Sequence, residues 1–485
     1  MSEIKNLNPQ RVWKHFYALT QIPRPSKKEG KVIEFMKNFG ESLGLETIVD
    51  KVGNVIIRKP ATPGMENRKG VIFQGHLDMV PQKNSDTVHD FEKDPINAYV
   101  DGEWVKAKGT TLGADNGMGC AAAMAVLEAT DLVHGPFEAL FTIDEETGMT
   151  GANQLEPGIL KGDILMNLDS EDEGELYVGC AGGVDINVKM NYKEVDAPSG
   201  FTAYKLAVTG LKGGHSGMDI NIGRANSNKL LFRFLNNCIY HFDIKLAEVI
   251  GGSLRNAIPR ESFATVLVPN DQATKFEADV KKFQEVFRKE FSITEPDLKM
   301  EAVKVEAPKK IIDDVAKDKI IKATFVCHHG VERVSDAMPG LVETSNNLAI
   351  VKCQNGVFTV SCLTRSSVDT AKEGVMYRAG TVFDLIGADV SFDGAYPGWK
   401  PNMDSPILKT MQKTYKDLFG RTPEIKAVHA GLECGILGAK YPNWDMISFG
   451  PTIRFPHSPD EKVNIESVQM FWDYIVATLK DIPVK

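Results

Sequence analysis

A chain of 485 residues exceeds what one hydrophobic core supports, and at roughly 100–200 residues per domain it should form two or three domains. Hydrophobic residues make up 42 % and charged residues 25 %, which excludes a disordered chain, a collagen and a disulfide miniprotein. The formal charge of −9 argues against nucleic acid or an anionic membrane as partner, since either would call for a basic surface.

The opening residues, MSEIKNLNPQRVW, lack the apolar stretch of a signal peptide. No run approaches the ~18–20 apolar residues of a membrane span. The seven cysteines, Cys120, Cys180, Cys238, Cys327, Cys353, Cys362 and Cys434, are odd in number and irregularly spaced. Together these features lead us to expect a cytoplasmic protein with reduced thiols. Without C-x-x-C spacing, a bound metal would need His and carboxylate ligands.

In chain order, Val12, Phe16 and Leu19 after Pro9 predict a first helix, and Val32, Phe35, Met36 and Phe39 a second over 27–43. Short apolar runs then alternate with helices. Strands are predicted at 70–74, 138–143, 164–168 and 445–449, and a small-residue helix at 117–127. Runs without period-two alternation, separated by helices, predict a buried, mostly parallel α/β sheet. From 201 the order becomes strand, helix, strand, strand, helix, strand, a βαββαβ unit. A second pass over 310–392 repeats it without its first strand. The expected organisation is a catalytic α/β domain over 1–190 and 397–485, interrupted by an α+β lid of two ferredoxin-like lobes over 191–396. The Met470–Trp472 stretch reads as core.

The informative side chains follow predicted strands. His76 and Asp78 lie in G-H-L-D-M-V-P, Glu145 and Glu146 after ALFTID, and Asp169 after ILMNL. Asp115 lies in G-A-D-N-G before the small-residue helix, and His457 follows MISFGPTIRFP. Each motif alone also fits a solvated loop or a cap. In open α/β sheets, however, the ligand crevice lies beyond the carboxyl ends of the strands, so these segments can converge there. Clustered carboxylates resist ionising together, and divalent cations remove that conflict. Two histidines and three carboxylates suit a zinc pair ~3.5–4 Å apart, with one carboxylate bridging. Of the adjacent Glu145 and Glu146, one can ligate while the other acts as general base. Asp78 can accept the N–H of His76 and set its tautomer.

These motifs, with E-E-T-G, N-L-D-S-E and P-H-S-P-D, resemble the co-catalytic zinc metallopeptidases related to aminoacylase, glutamate carboxypeptidase and peptidase T. The likeness runs over essentially the whole chain. G-C-A-G-G, G-L-K-G-G-H-S-G, L-R-N-A-I-P-R-E, G-A-Y-P-G-W and H-A-G-L-E-C-G resemble the dipeptidases among them. The resemblance implies metal-dependent hydrolysis of dipeptides, Xaa-His dipeptides such as carnosine included. It implies two Zn²⁺ per chain, replaceable by Co²⁺ or Mn²⁺. His76 and Asp169 would hold one ion, Glu146 and His457 the other, and Asp115 both, with a cis Asp115–Asn116 bond. Glu145 would be the general base. His215 would stabilise the oxyanion, Asn256 and Arg365 would bind the substrate carboxylate, and His429 and Glu433 would form a substrate loop. Family dimers often supply the lid histidine from the neighbouring subunit, so a homodimer is expected, although a doubled lid offers the histidine within one chain. Two alternatives stay open: a deacylase of N-acyl amino acids or carboxypeptidase on the same site, and a metal-free binding protein that kept the fold.

Overall fold

The computed structural model describes residues 3–485, which divide into two compact units. The first comprises 3–179, Pro401–Ala427 and Leu432–Lys485. It is built on an eight-stranded sheet in the order Glu46–Val49, Val55–Lys59, Phe137–Thr142, Val71–His76, Ile164–Asn167, Asp445–Ser448, Glu175–Cys180, Glu424–Val428. The four strands from Phe137–Thr142 to Asp445–Ser448 are mutually parallel, and the strands flanking them run antiparallel where registered. The strands Val71–His76, Phe137–Thr142 and Ile164–Asn167 are buried along their whole length, which explains their unbroken apolar runs.

The small-residue helix runs over Ala114–Glu128, and only its Asp115 and Glu128 escape burial. Its residues are small because the sheet is close. A Cβ added at Gly119 would lie 2.5 Å from the carbonyl oxygen of Leu168. The first helix, Gln10–Thr20, buries Val12, Trp13, Phe16 and Leu19 at helical spacing. The C-terminal helix Ile465–Asp481 is capped by the Asn464 side chain, which accepts from the Ser467 N–H, and it buries Phe471 and Trp472 in the core. A smaller sheet orders Ile453–Arg454, Lys462–Asn464, Trp104–Ala107 and Ala98–Asp101. Its first two strands form a hairpin whose loop carries His457. All seven cysteines are buried. Among the described residues no helix is long and apolar enough to cross a membrane.

The second unit comprises Cys180–Lys400 and Val428–Gly431. Its main sheet is ordered Lys299–Val305, Phe201–Thr209, Ser262–Pro269, Lys245–Gly251, Val342–Gln354, Val357–Ser366, Gly182–Asn191, Asp389–Tyr396, with Gly330–Val334 paired beside Val342–Gln354. The first four strands have the ferredoxin-like order, and the last four repeat it in reverse. The first strand missing from the second repeat is Gly182–Asn191, supplied from upstream of both repeats. It therefore sits in this sheet, whereas the sequence reading placed it before the 190/191 boundary. The two lobes are not separate, because Val249–Gly251 pairs with Val351–Cys353 and makes one sheet of both. One core serves them, with Phe232, Phe234, Phe276 and Phe287 from one half and Phe358 and Phe383 from the other.

Candidate active site and metal centre

The parallel strands of the first unit end where its ionisable side chains gather. His76 closes the strand Val71–His76, Glu145 and Glu146 follow Phe137–Thr142, and Asp169 follows Ile164–Asn167. Asp115 enters from the turn before the small-residue helix, across a cis Asp115–Asn116 bond. His457, at φ +59°, comes from the hairpin loop. Five of the sequence-predicted ligands meet here: His76, Asp115 and Asp169 form one cluster, and Asp115, Glu146 and His457 another.

Asp115 joins the clusters. Its Oδ1 lies 3.1 Å from His76 Nε2 and its Oδ2 lies 3.2 Å from His457 Nε2. His76 Nε2 is also 3.2 Å from Asp169 Oδ1, and His457 Nε2 is 2.9 Å from Glu146 Oε2. A ring nitrogen carries at most one proton, yet each Nε2 faces two carboxylate oxygens. Glu146 Oε1 is buried without a hydrogen-bond partner. Converging lone pairs with too few protons are the donor set of divalent cations, and imidazole with carboxylate suits zinc among them. The residues therefore fit a divalent metal centre, with Asp115 common to both clusters.

The electrostatics agree. Burial alone would lower the imidazole of His76, but Asp169, Asp115 and Asp78 outweigh it and hold it well above its ordinary value. Hydrogen bonds to Asp115 and Glu146 push His457 up to about 11. Burial would raise Asp115, but His457 and His76 hold it below the carboxylate range. Burial pushes Asp169 up to about 6, helped by Asp115 and Glu146 against His76. These shifts describe acids and imidazoles compensating one another's charge at close range.

Asp78 is fully buried and does two things. His76 Nδ1 lies 3.2 Å from its carbonyl oxygen and 3.4 Å from its carboxylate Oδ1, which orients the ring. The same carboxylate accepts the backbone N–H groups of Glu145 at 3.0 Å and Glu146 at 3.3 Å, and the Ser26 hydroxyl at 2.8 Å. Glu145 stands beside His76 and Glu146 and outside both Asp115 clusters. Burial pushes its carboxyl well above the usual range, reinforced by Asp169, Glu433 and Glu146 against His76.

The remaining sequence-predicted residues lie in the second unit. His215 Nδ1 accepts the N–H groups of Met218 and Gly217 at 3.0 and 3.2 Å, which leaves the ring proton on Nε2. Burial and the charge of Arg365 lower its pKa, so it is neutral at pH 7. Arg365 is only 5 % exposed. Its Nε donates to Ser216 Oγ at 3.3 Å and its Nη1 to Tyr396 Oη at 3.1 Å. His429 is buried, with Nε2 2.8 Å from Ser345 Oγ, and burial with Arg365 and His215 pushes it down to about 3. Asn256 is exposed, and its backbone carbonyl accepts the Ser216 N–H. The expected 429–433 substrate loop is divided. His429 belongs to the second unit, whereas Glu433 opens the helix Glu433–Lys440 of the first and is fully buried.

Three features escaped the sequence reading: the buried setting of Glu433 with its polar ladder, Glu461 and Arg24. Glu433 accepts from Gln74 Nε2 and Thr142 Oγ1, and burial pushes it up to about 7. Gln74 in turn accepts from Asn167 Nδ2, and Asn167 accepts from the Ser448 hydroxyl, so a buried polar ladder crosses the parallel strands beneath the site. Its signal was a polar residue inside otherwise apolar runs, as in VIFQ, ILMN and DMIS. Glu461 and Arg24, both buried, bind the backbone of the Asp115 turn. Glu461 lies four residues after His457; nothing local marks Arg24.

A His and carboxylate cluster at the carboxyl ends of a parallel sheet is the arrangement of a metal-binding α/β protein. Residues 72–481 match the model of peptidase family M20/M25/M40, and the chain belongs to that family. It is a metal-dependent peptide-bond hydrolase. The chain is 47 % identical to the cytosol non-specific dipeptidase of Escherichia coli strain K12 over 485 residues, all of both chains. A crystal structure of aminoacylhistidine dipeptidase from Vibrio alginolyticus aligns with a TM-score of 0.95 and 49 % identity, covering 100 % of this chain and 99 % of that one. A tripeptidase from Staphylococcus aureus shares the fold, with a TM-score of 0.57 and 15 % identity over 98 % of this chain and 99 % of that one.

Proposed function

We propose that the protein is a cytoplasmic dipeptidase that uses two zinc ions, with Co²⁺ or Mn²⁺ able to replace them, and that Xaa-His dipeptides such as carnosine are among its substrates. The observation that carries this reading is Asp115 set between two imidazoles, each with a further carboxylate beside it, in a chain so similar to two dipeptidases. His76 and Asp169 would hold one ion, Glu146 and His457 the other, and Asp115 both. Bound there, the ions supply Lewis acidity for the scissile carbonyl and acidify water.

The chain's own groups then divide the work. Glu145 takes a proton from the attacking water, whose oxygen bonds to the carbonyl carbon. It returns that proton to the leaving amine as the C–N bond breaks. Its backbone is pinned by Asp78, which limits its drift from the ligand beside it. His215, neutral with its proton on Nε2, is suited to donate to the oxyanion. Arg365 is a buried guanidinium with no carboxylate in ion-pair distance among the described residues, and it suits the substrate's carboxylate, with Asn256 and His429 as its companions. A homodimer belongs to this reading, and sedimentation of dilute protein tests it.

The experiment is reconstitution. Chelated protein should lose activity and regain it with Zn²⁺, Co²⁺ or Mn²⁺, with about two ions bound per chain. Steady-state rates on carnosine and other Xaa-His dipeptides should exceed those on N-acetyl amino acids. Faster turnover of the acylated substrates would make it a deacylase, and chelator-resistant activity would refute the metal model.

A further inference from the structure

We propose that Glu461 is a positioning residue that holds Asp115 in register with His457; this inference rests on the two-ion reading above. Glu461 is only 2 % exposed, and a carboxylate so buried is costly unless its oxygens are hydrogen-bonded. Its partners are four successive backbone N–H groups. Oε2 accepts from Leu112 at 2.7 Å and Gly113 at 3.0 Å, and Oε1 from Ala114 at 2.7 Å and Asp115 at 3.2 Å. Four consecutive donors converge on one anion only when the chain curls around it, which the φ of +71° at Gly113 provides.

The other end of this tie is the His457 hairpin. Glu461 directly precedes the strand Lys462–Asn464, which pairs with Ile453–Arg454, and His457 lies in the loop between them. One side chain thus joins the two segments that present Asp115 and His457. Arg24 braces the same turn through a backbone carbonyl. Its Nη2 donates to the Gly113 carbonyl at 2.5 Å, and its Nη1 donates to the carbonyls of Leu77 at 2.8 Å and Asp78 at 3.0 Å, beside His76. Asp115 needs both constraints because each of its oxygens serves a different histidine. Loss of Glu461 should loosen Asp115 toward His457 and leave its tie to His76 through Arg24. The effect should therefore fall on one metal position more than on the other.

Calorimetric titration of chelated protein with Zn²⁺ tests this, using Glu461→Gln and Glu461→Asp, with circular dichroism to check folding. The glutamine places an amide NH₂ against backbone donors. It should weaken one of the two zinc-binding events roughly 10–100-fold and the other far less. Aspartate keeps the charge and should recover part of the loss. A folded Glu461→Gln protein with both affinities unchanged overturns the proposal. So does equal weakening of both events, or failure of both variants to fold, since each assigns Glu461 to general stability. Fewer than two zinc ions on the unsubstituted protein would instead refute the two-ion reading beneath it.

Discussion

At the residue scale, the adjacent Glu145 and Glu146 share a residue type and differ in their surroundings. Glu146 faces His457 at 2.9 Å, whereas Glu145 has its backbone held by Asp78 and its carboxyl pushed upward by burial and neighbouring acids. Asp144, just before them, adopts φ +51°, and His457 adopts φ +59°, in the left-handed region that Asp and His enter more readily than most non-glycine residues. In the proposed mechanism Glu145→Gln keeps the shape and removes the base. The variant should bind zinc as the parent does and lose roughly 10²–10⁴-fold in kcat. Metal content and steady-state rates check this, and a kcat within tenfold of the parent would take Glu145 out of the proton transfer. The pair E-E does not tell the two glutamates apart; the strand end turns Glu146 toward His457.

At the element scale, the helix Ala114–Glu128 connects composition to the site. Its run of Gly, Ala and Cys lets the helix approach the sheet closely, and that approach places Asp115 at its start beside the strand ends. Gly119→Ala would set a Cβ 2.5 Å from the Leu168 carbonyl and 2.6 Å from Asn116 Oδ1. Neither can yield cheaply, because Leu168 immediately precedes Asp169 and Asn116 donates to the Leu168 carbonyl at 2.7 Å. The substitution should cost about 1–3 kcal/mol, read from the midpoint of urea unfolding, and an unchanged midpoint would mean that the helix slides freely. The central strands and this helix were legible to within a few residues, since buried apolar runs and small-residue stretches are local signals. The first strand of the second repeat was not, because Gly182–Asn191 finds its partners more than a hundred residues downstream.

At the scale of the whole molecule, metal uptake and pH are linked through the cluster. Without metal, His457, raised to about 11, is protonated at pH 6–8, and the neighbouring carboxylates hold His76 above its ordinary value. The raised His457 contributes stability that is complete below the unfolded imidazole value of roughly 6.5 and is lost as pH rises through about 11. In the proposed two-ion reading zinc displaces the His457 proton, and Asp169, raised to about 6, ionises fully only above that pH. Both effects carry the same sign, so the zinc-induced rise in Tm should be larger at pH 8 than at pH 6 at equal free zinc. Paired thermal melts measure it; a zinc effect that is flat or shrinks with pH would show that these ligands do not compete with protons.

The sequence by itself determined the α/β sheet, the interrupted first domain, the repeat inside the second unit and which His, Asp and Glu side chains stand at the strand ends. These follow from local hydrophobic patterning and from motifs that sit at strand ends. Tertiary structure alone decided that the two repeats share one sheet and one core, that Glu433 is buried beneath the site, and that Glu461 and Arg24 clasp the Asp115 turn. Those features depend on hydrogen bonds between segments far apart in the chain, 89 residues for Arg24 with Gly113 and 346 for Glu461 with Asp115, where a buried carboxylate or guanidinium finds backbone partners that no neighbouring residue announces.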